Sequence, residues 1–258
     1  MGALCGRACF VLFKARCVCF AARLAGVELH EHSRVLRVET RNGVSALTAD
    51  GVVHARFGVL ACDAHPGGLE PRIAGRIMAV ANYLIAMTPL EHPEQIVADH
   101  LAVSDRRFVV NYFRMSEDGR LIFGGGECYT PEPPGNITAF ARTHLRKVLP
   151  QLGDVKIDYA WGGLVSVTMS RLPHIGRLGD LFFAHGYSGQ GTLLPALAGK
   201  VLVAAMAGTA ERFDVLSALA PPAFPGGASV ALIAPHVGHA LVRVTRPALA
   251  RPPGVRVR

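Results

Sequence analysis

The chain predicts a mixed fold, part α/β and part α+β, on three observations. An apolar strand, Leu181-Phe182-Phe183-Ala184, runs through closely spaced glycines into an Ala/Leu-rich helix, the strand–loop–helix unit of an α/β domain. Short segments between residues 27 and 62 alternate apolar and charged side chains around Asn-Gly and Asp-Gly, the pattern of a meander. Longer β-type runs between 78 and 125 precede one amphipathic helix, as in an antiparallel sheet with a helix over it.

Taken in order, Ala21 to Ala25 followed by Gly26 reads as the last turn of a helix with a glycine stop. Val27 to Glu31 and Arg34 to Glu39 alternate with a period of two and predict half-buried strands. Asn42-Gly43 is a hairpin turn, after which Ser45 to Thr48 and Val52 to Phe57 continue the meander across Asp50-Gly51. Val59 to Cys62 is a short buried strand leading into a loop from Asp63 to Gly68. Strands follow at Met78 to Met87, Phe108 to Phe113 and Leu121 to Gly125, with Asp118-Gly119 turning between the last two. Asn136 to Val148 is an amphipathic helix that Pro150 ends. Gly124-Gly125-Gly126 precedes no helix, so these glycines mark a bulge or a close approach rather than a phosphate loop.

A chain of 258 residues that is 50% hydrophobic and 18% charged can bury a sizeable core. Its net charge of +8 belongs to the ends. Arg7, Lys14, Arg16 and Arg23 precede residue 26, and Arg243, Arg246, Arg251, Arg256 and Arg258 follow residue 227, with no acid in either flank. Those nine charges exceed the total by one, so the body between them carries about −1 and offers no basic face to a nucleic acid. Cys5, Cys9, Cys17 and Cys19 crowd the start, with Cys62 and Cys128 alone, and none is at zinc spacing. The expected chain is reduced and cytoplasmic, without metal, targeting segment or membrane span, since Lys14 and Arg16 interrupt the apolar run from Ala8 to Ala22.

The most informative stretch is Gly186-Tyr187-Ser188-Gly189-Gln190-Gly191, between the 181–184 strand and the helix after it. Glycines there let the backbone approach a flat or anionic ligand, and the helix N-terminus adds unpaired N–H groups and a positive dipole end. A tight turn with no ligand has the same sequence. The stretch is not the first turn of a dinucleotide fold. The next acids, Glu211 and Asp214, lie beyond one long helix with no second strand between.

Around this loop stand Trp161-Gly162-Gly163, the run from Thr168 through Pro173-His174-Ile175-Gly176, Arg212-Phe213-Asp214 and Phe224-Pro225-Gly226-Gly227. Further back stand Ala25 to Glu31, Phe108 to Arg114 and Asp118 to Glu127. In order and spacing these resemble the D-amino-acid-oxidase-like (DAO) FAD-dependent oxidoreductases, most closely the γ-glutamylputrescine oxidase type, over residues 24 to 227. The resemblance implies an incomplete FAD-binding domain of glutathione-reductase-like type, residues 26–75 and 159–227, and an antiparallel substrate domain, residues 76–158. It implies FAD as cofactor and oxidation of the C–N bond of a small-molecule amine or amino acid to an imine.

By the same resemblance Val35 lies near the adenine and Ala61 under the pyrophosphate. Gly186, Ser188, Gly189, Gln190, Gly191 and Thr192 surround the flavin, with the Gly189 to Thr192 N–H groups at its pyrimidine edge. Tyr187 either faces the substrate or packs beneath the loop. Tyr112 and Arg114, two apart on one strand, share a side and would bind a substrate carboxylate if that side is the pocket. The alternative for Arg114 is a solvated strand edge. His65 and His174 are either bases or polar surface.

Both ends depart from the family pattern. Nothing before Gly26 supplies the strand and G-x-G-x-x-G turn that hold the ADP half, so an N-terminally truncated fragment is expected. The alternative is a non-catalytic remnant or subunit whose ADP-binding half comes in trans. Codons allowed for Gly238 to Pro247, read one nucleotide later, can spell the family's Gly-Met-Leu-Trp-Tyr-Ala-Leu-Arg-Asp. A frameshift near Gly227 and a disordered basic tail over 228–258 are expected from this.

Overall fold

The computed structural model describes residues 4–7, 22, 24–98, 101–107, 110–128 and 134–226. Most of the atypical first segment and the expected disordered tail lie outside these residues. Three sheets organise the rest.

The largest is six-stranded and antiparallel throughout. It is built from β1 (Leu4–Arg7), β6 (Met78–Met87), β7 (Leu101–Ser104), β8 (Tyr112–Met115), β9 (Leu121–Cys128) and β10 (Ile157–Val167), in the order β1-β7-β8-β9-β6-β10. One face buries Ile85, Met87, Met115, Leu121 and Phe123 against Ala141 and Leu145 of α2 (Ile137–Val148). The expected helix is present because its apolar residues recur on one side and Asn136 caps it, the side chain accepting the Ala139 N–H at 2.9 Å. Asn136→Ala is expected to cost about 1 kcal/mol in denaturant unfolding. Arg120 ties the β8–β9 turn to the sheet through Asp118, Asp158 and the Met87 carbonyl.

The second sheet is a meander of β2 (Arg37–Glu39), β3 (Val44–Leu47) and β4 (Val52–Ala55). Asn42 and Gly43 turn between the first two with φ of 52° and 96°, as a primed hairpin turn demands. The third sheet has the order β11-β12-β5. There β12 (Leu181–His185) pairs antiparallel with β11 (His174–Leu178) and parallel with β5 (Gly58–Leu60). Helices α3 (Leu194–Met206) and α4 (Glu211–Ser217) cover it, burying Phe182, Val201, Leu202 and Phe213 in one cluster. A short α1 (Pro71–Ala74) leads into β6, and the Phe224 N–H closes onto the Gly75 carbonyl beside it.

Several local expectations are corrected. Val27 to Glu31 forms no strand, and Val27 is half exposed, because no described strand lies beside it to complete its hydrogen bonds. β7, β10 and β11 were not expected. β10 spans Ile157–Val167 and pairs with β6 along its length, its end reaching the glycine loop. Gly124, Gly125 and Gly126 mark a close approach, but by the chain's own side chains. A Cβ there would meet the Tyr112 ring, Asn111 and the Phe140 and His144 rings respectively. None of the described helices is long and apolar enough to cross a membrane.

Candidate active site

Two groups of expected site residues sit at the carboxyl ends of adjacent parallel strands, where Leu60 of β5 pairs with Phe183 of β12. Crevices at such ends are where open α/β sheets bind ligands. The first group follows β12. Gly186 (φ 72°), Ser188 (φ 50°) and Gly189 (φ 95°) are left-handed, which turns the chain sharply from strand to α3. Gly186 is buried, and a Cβ on it would press on the methyls of Thr168 and Ile77. Gly189, Gln190, Gly191 and Thr192 are exposed, and a Cβ on Gly189 or Gly191 would meet nothing within 4 Å.

Backbone donors are available there. Gln190 N–H donates to the Tyr187 carbonyl, and Leu193 and Leu194 N–H both go to the Gln190 carbonyl. Among the described residues the Gly189, Gly191 and Thr192 N–H groups have no backbone acceptor. No side chain caps α3, and Pro195 stands in its first turn, where it costs no hydrogen bond. An open glycine surface with free donors at a helix N-terminus fits a flat ring with an electron-rich edge.

Residues that the sequence did not single out hold this loop. Ser166, at the end of β10 and 1% exposed, accepts the Gly186 N–H on its hydroxyl at 3.0 Å, and its carbonyl accepts the Ser188 N–H at 2.9 Å. The same hydroxyl donates to Asp63, 103 residues earlier in the chain. Thr168 N–H reaches the Ser188 hydroxyl at 3.3 Å. Tyr187 takes the packed one of its two expected placements. It is 7% exposed among Ile175, Phe182 and Ala198, and burial followed by the Asp63 charge pushes its phenol up to about 12.

The second group lines a cleft of about 500 Å³ between the meander and the loop after β5. Val35, Leu36, Val59, Cys62, His65 and Gly68 line it, and Ala61 is exposed beside it at the end of β5. His65 is thus an exposed wall residue. Burial pushes the Cys62 thiol up.

Tyr112 and Arg114 lie on the face of the six-stranded sheet away from α2. Register sets Tyr112 in a row with Gly124, Leu84 and Trp161, and the Tyr112 hydroxyl donates to Asn82 at 2.5 Å. Trp161, 40% exposed, extends this face with an aromatic surface. The half-buried Arg114 has no side-chain hydrogen bond or ion pair to a described residue.

His174 is corrected from surface to core. It is 4% exposed, and its Nδ1 lies 2.8 Å from Nε2 of His185, itself 2% exposed, directly before Gly186. Burial, then the neighbouring His185 and Arg76, push His174 down to about 3, and burial pushes His185 down to about 4. Both folded values lie below the unfolded value of about 6.5, so between them the unfolded chain binds more protons. Stability is therefore full above about pH 6.5 and is lost progressively as pH falls toward 4. Unfolding midpoints measured across that window are expected to fall with pH, and His185→Gln is expected to flatten the slope.

Residues 15–205 match the DAO family, described as FAD dependent oxidoreductase. Among curated proteins, the chain is 38% identical over 208 residues to a protein named Probable oxidoreductase OrdL from Rhizobium meliloti. That match covers 80% of this chain and 49% of the relative. It is 34% identical to Gamma-glutamylputrescine oxidoreductase of Escherichia coli, covering 80% of this chain and 50% of that one. Among solved structures, glycine oxidase from Geobacillus kaustophilus superposes with a TM-score of 0.63 at 19% identity, over 82% of this chain and 55% of that one. The chain thus spans about half the length of the curated relatives it matches. With residues 15–205 matching that family, the chain belongs to the DAO family of FAD-dependent oxidoreductases.

Proposed function

We propose that the chain provides the flavin-ring and substrate side of an FAD-dependent amine or amino-acid oxidoreductase whose substrate is of the γ-glutamylputrescine type. The observation that carries the flavin part is the Gly186 to Thr192 loop, with its left-handed turn, open glycine surface and uncapped helix N-terminus. The substrate class rests on the 34% identity to Gamma-glutamylputrescine oxidoreductase. When bound, FAD would supply the two-electron acceptor for conversion of the substrate C–N bond to an imine, which water then hydrolyses.

The chain's own residues place and polarise. Gly186, Ser188, Gly189, Gln190, Gly191 and Thr192 would hold the ring, and the positive end of α3 would favour negative charge on it. Val35 lines, and Ala61 adjoins, the cleft that would receive the ADP side. Arg114, beside Tyr112, offers a guanidinium to a substrate carboxylate, which a γ-glutamyl group carries. Residues 26–75 and 159–227 then act as the cofactor part and residues 76–158 as the substrate part.

The visible spectrum of the purified chain after incubation with FAD and removal of free cofactor tests this. Retained flavin that γ-glutamylputrescine bleaches supports it, and a colourless product sinks it. Gly191→Ala sharpens the test, because φ there is not left-handed and a methyl meets no protein atom. Its stability should change by no more than about 0.5 kcal/mol. Flavin retention should nevertheless fall if the open space is the ring's.

A second reading is favoured by the edge of the third sheet. Among the described residues β5 pairs only with β12, its other edge is open, and Val59 is 47% exposed. An open parallel edge can take a strand from another chain. In this reading the ADP-binding half comes in trans. Co-expression with a polypeptide that carries a strand followed by G-x-G-x-x-G should then yield a yellow complex. Co-purification without flavin, or none at all, would count against it.

A further inference from the structure

We infer, building on the flavin-site reading above, that Asp63 and Ser166 are positioning residues. They form a hydrogen-bonded relay that sets the glycine loop in its cofactor-receiving shape before any cofactor arrives.

The argument starts from what one hydroxyl can do. A serine Oγ carries a single proton and two acceptor lone pairs. In Ser166 the proton is committed to the Asp63 carboxylate, which leaves a lone pair aimed at the Gly186 N–H, 3.0 Å away. Without Asp63 the hydroxyl can rotate about its Cβ–Oγ bond, and its acceptor direction is no longer fixed. The Ser166 carbonyl fixes Ser188 from the same residue, and Thr168 N–H holds the Ser188 side chain. Two of the loop's three left-handed residues, Gly186 and Ser188, are therefore pinned from the end of β10.

Asp63 is itself left-handed, with φ of 44°. A non-glycine residue holds that conformation only where its surroundings compensate for it. The relay therefore runs from the loop beside the nucleotide cleft, through the end of β10, to the loop beneath the ring. The two sides of the site are joined by a path that involves no ligand. A loop already in its bound shape saves the ordering cost of association.

The test compares wild type, S166A, D63A, D63N and the double variant S166A/D63A. Amide hydrogen exchange is measured in the ligand-free chain, and FAD binding by titration. Loss of a buried partner at this N–H is expected to speed exchange at Gly186 and Ser188, and to raise the FAD dissociation constant, by about tenfold in S166A and in D63A. The double variant is expected to be no worse than S166A, because the two residues act as one unit. D63N keeps an acceptor oxygen and is expected to behave like wild type. Asp63 is half-exposed and belongs to no core cluster, so D63A keeps the test usable should S166A misfold.

Unchanged exchange in D63A, or additive losses in the double variant, would overturn the relay. Faster exchange with unchanged FAD affinity would reduce it to a support of the turn and overturn its positioning role. A wild-type chain that retains no FAD would instead refute the flavin-site reading, while exchange in D63A would still decide whether Asp63 sets the loop.

Discussion

Gly186→Ala should lower the unfolding free energy by about 2 to 5 kcal/mol, from roughly 1–2 for an L-residue in the left-handed region and about 1–3 for overpacking. Two features meet at this position. Its φ is 72°, and its Cβ would fall 3.2 Å from Ile77 Cγ2 and closer still to Thr168 Cγ2. Thr168 is itself 1% exposed and tied to the Leu172 carbonyl at 2.8 Å, so it has no room to retreat. Gly189→Ala is the informative comparison. Its φ is 95° but its Cβ meets nothing, so only the conformational part, roughly 1–2 kcal/mol, should be lost. Denaturant unfolding midpoints of the two variants check this, and equal losses would mean that the contact of Gly186 with Thr168 does not constrain the loop.

Phe182→Ala is expected to be the most damaging core truncation under the site, at about 3 to 5 kcal/mol. The ring is 1% exposed and meets Phe57 and Phe213 edge-on at 5.8 and 5.6 Å between centroids. It therefore joins the segment before β5, the middle strand of the third sheet and α4. Removing it leaves a cavity that the Phe57 and Phe213 rings border. For a chain of this size the melting temperature should drop by roughly 2–4 °C per kcal/mol lost. A loss below about 1 kcal/mol in a calorimetric or denaturant measurement would contradict this packing.

What could be read before the fold was known divides by range. Met78–Met87 is legible from end to end, because it is a ten-residue apolar run broken only by Asn82. The Asn42-Gly43 turn and the α2 cap were legible because each is decided within four residues. Val27 to Glu31 has the same alternation as a strand but no neighbour, and alternation does not supply one. β10 escaped because Gly162 and Gly163 interrupt its pattern. In the structure the Tyr83 ring fills the space above Gly162, so the glycine serves packing rather than breaking the strand.

The candidate site shows the same division. The glycine loop was legible in its composition and its position between a strand and a helix. The residues that hold it were not, because Ser166 and Asp63 carry no motif and lie 103 residues apart. His174 read as a loop histidine, and only its pairing with His185 across β11 and β12 buries it. Tyr187 had two placements open to it, and the packing of α3 against β12 decided between them.

By itself the sequence determined the mixed fold class and the strand–glycine loop–helix unit, since these rest on local backbone preference and on side-chain periodicity, while the order and spacing of its motifs carry the family resemblance. Tertiary structure alone decided which strands pair, which glycines meet side chains and which face open space, and which hydroxyl fixes the loop. Each of those outcomes depends on a contact between distant residues, and its energy appears only when the chain has brought them within a few ångströms.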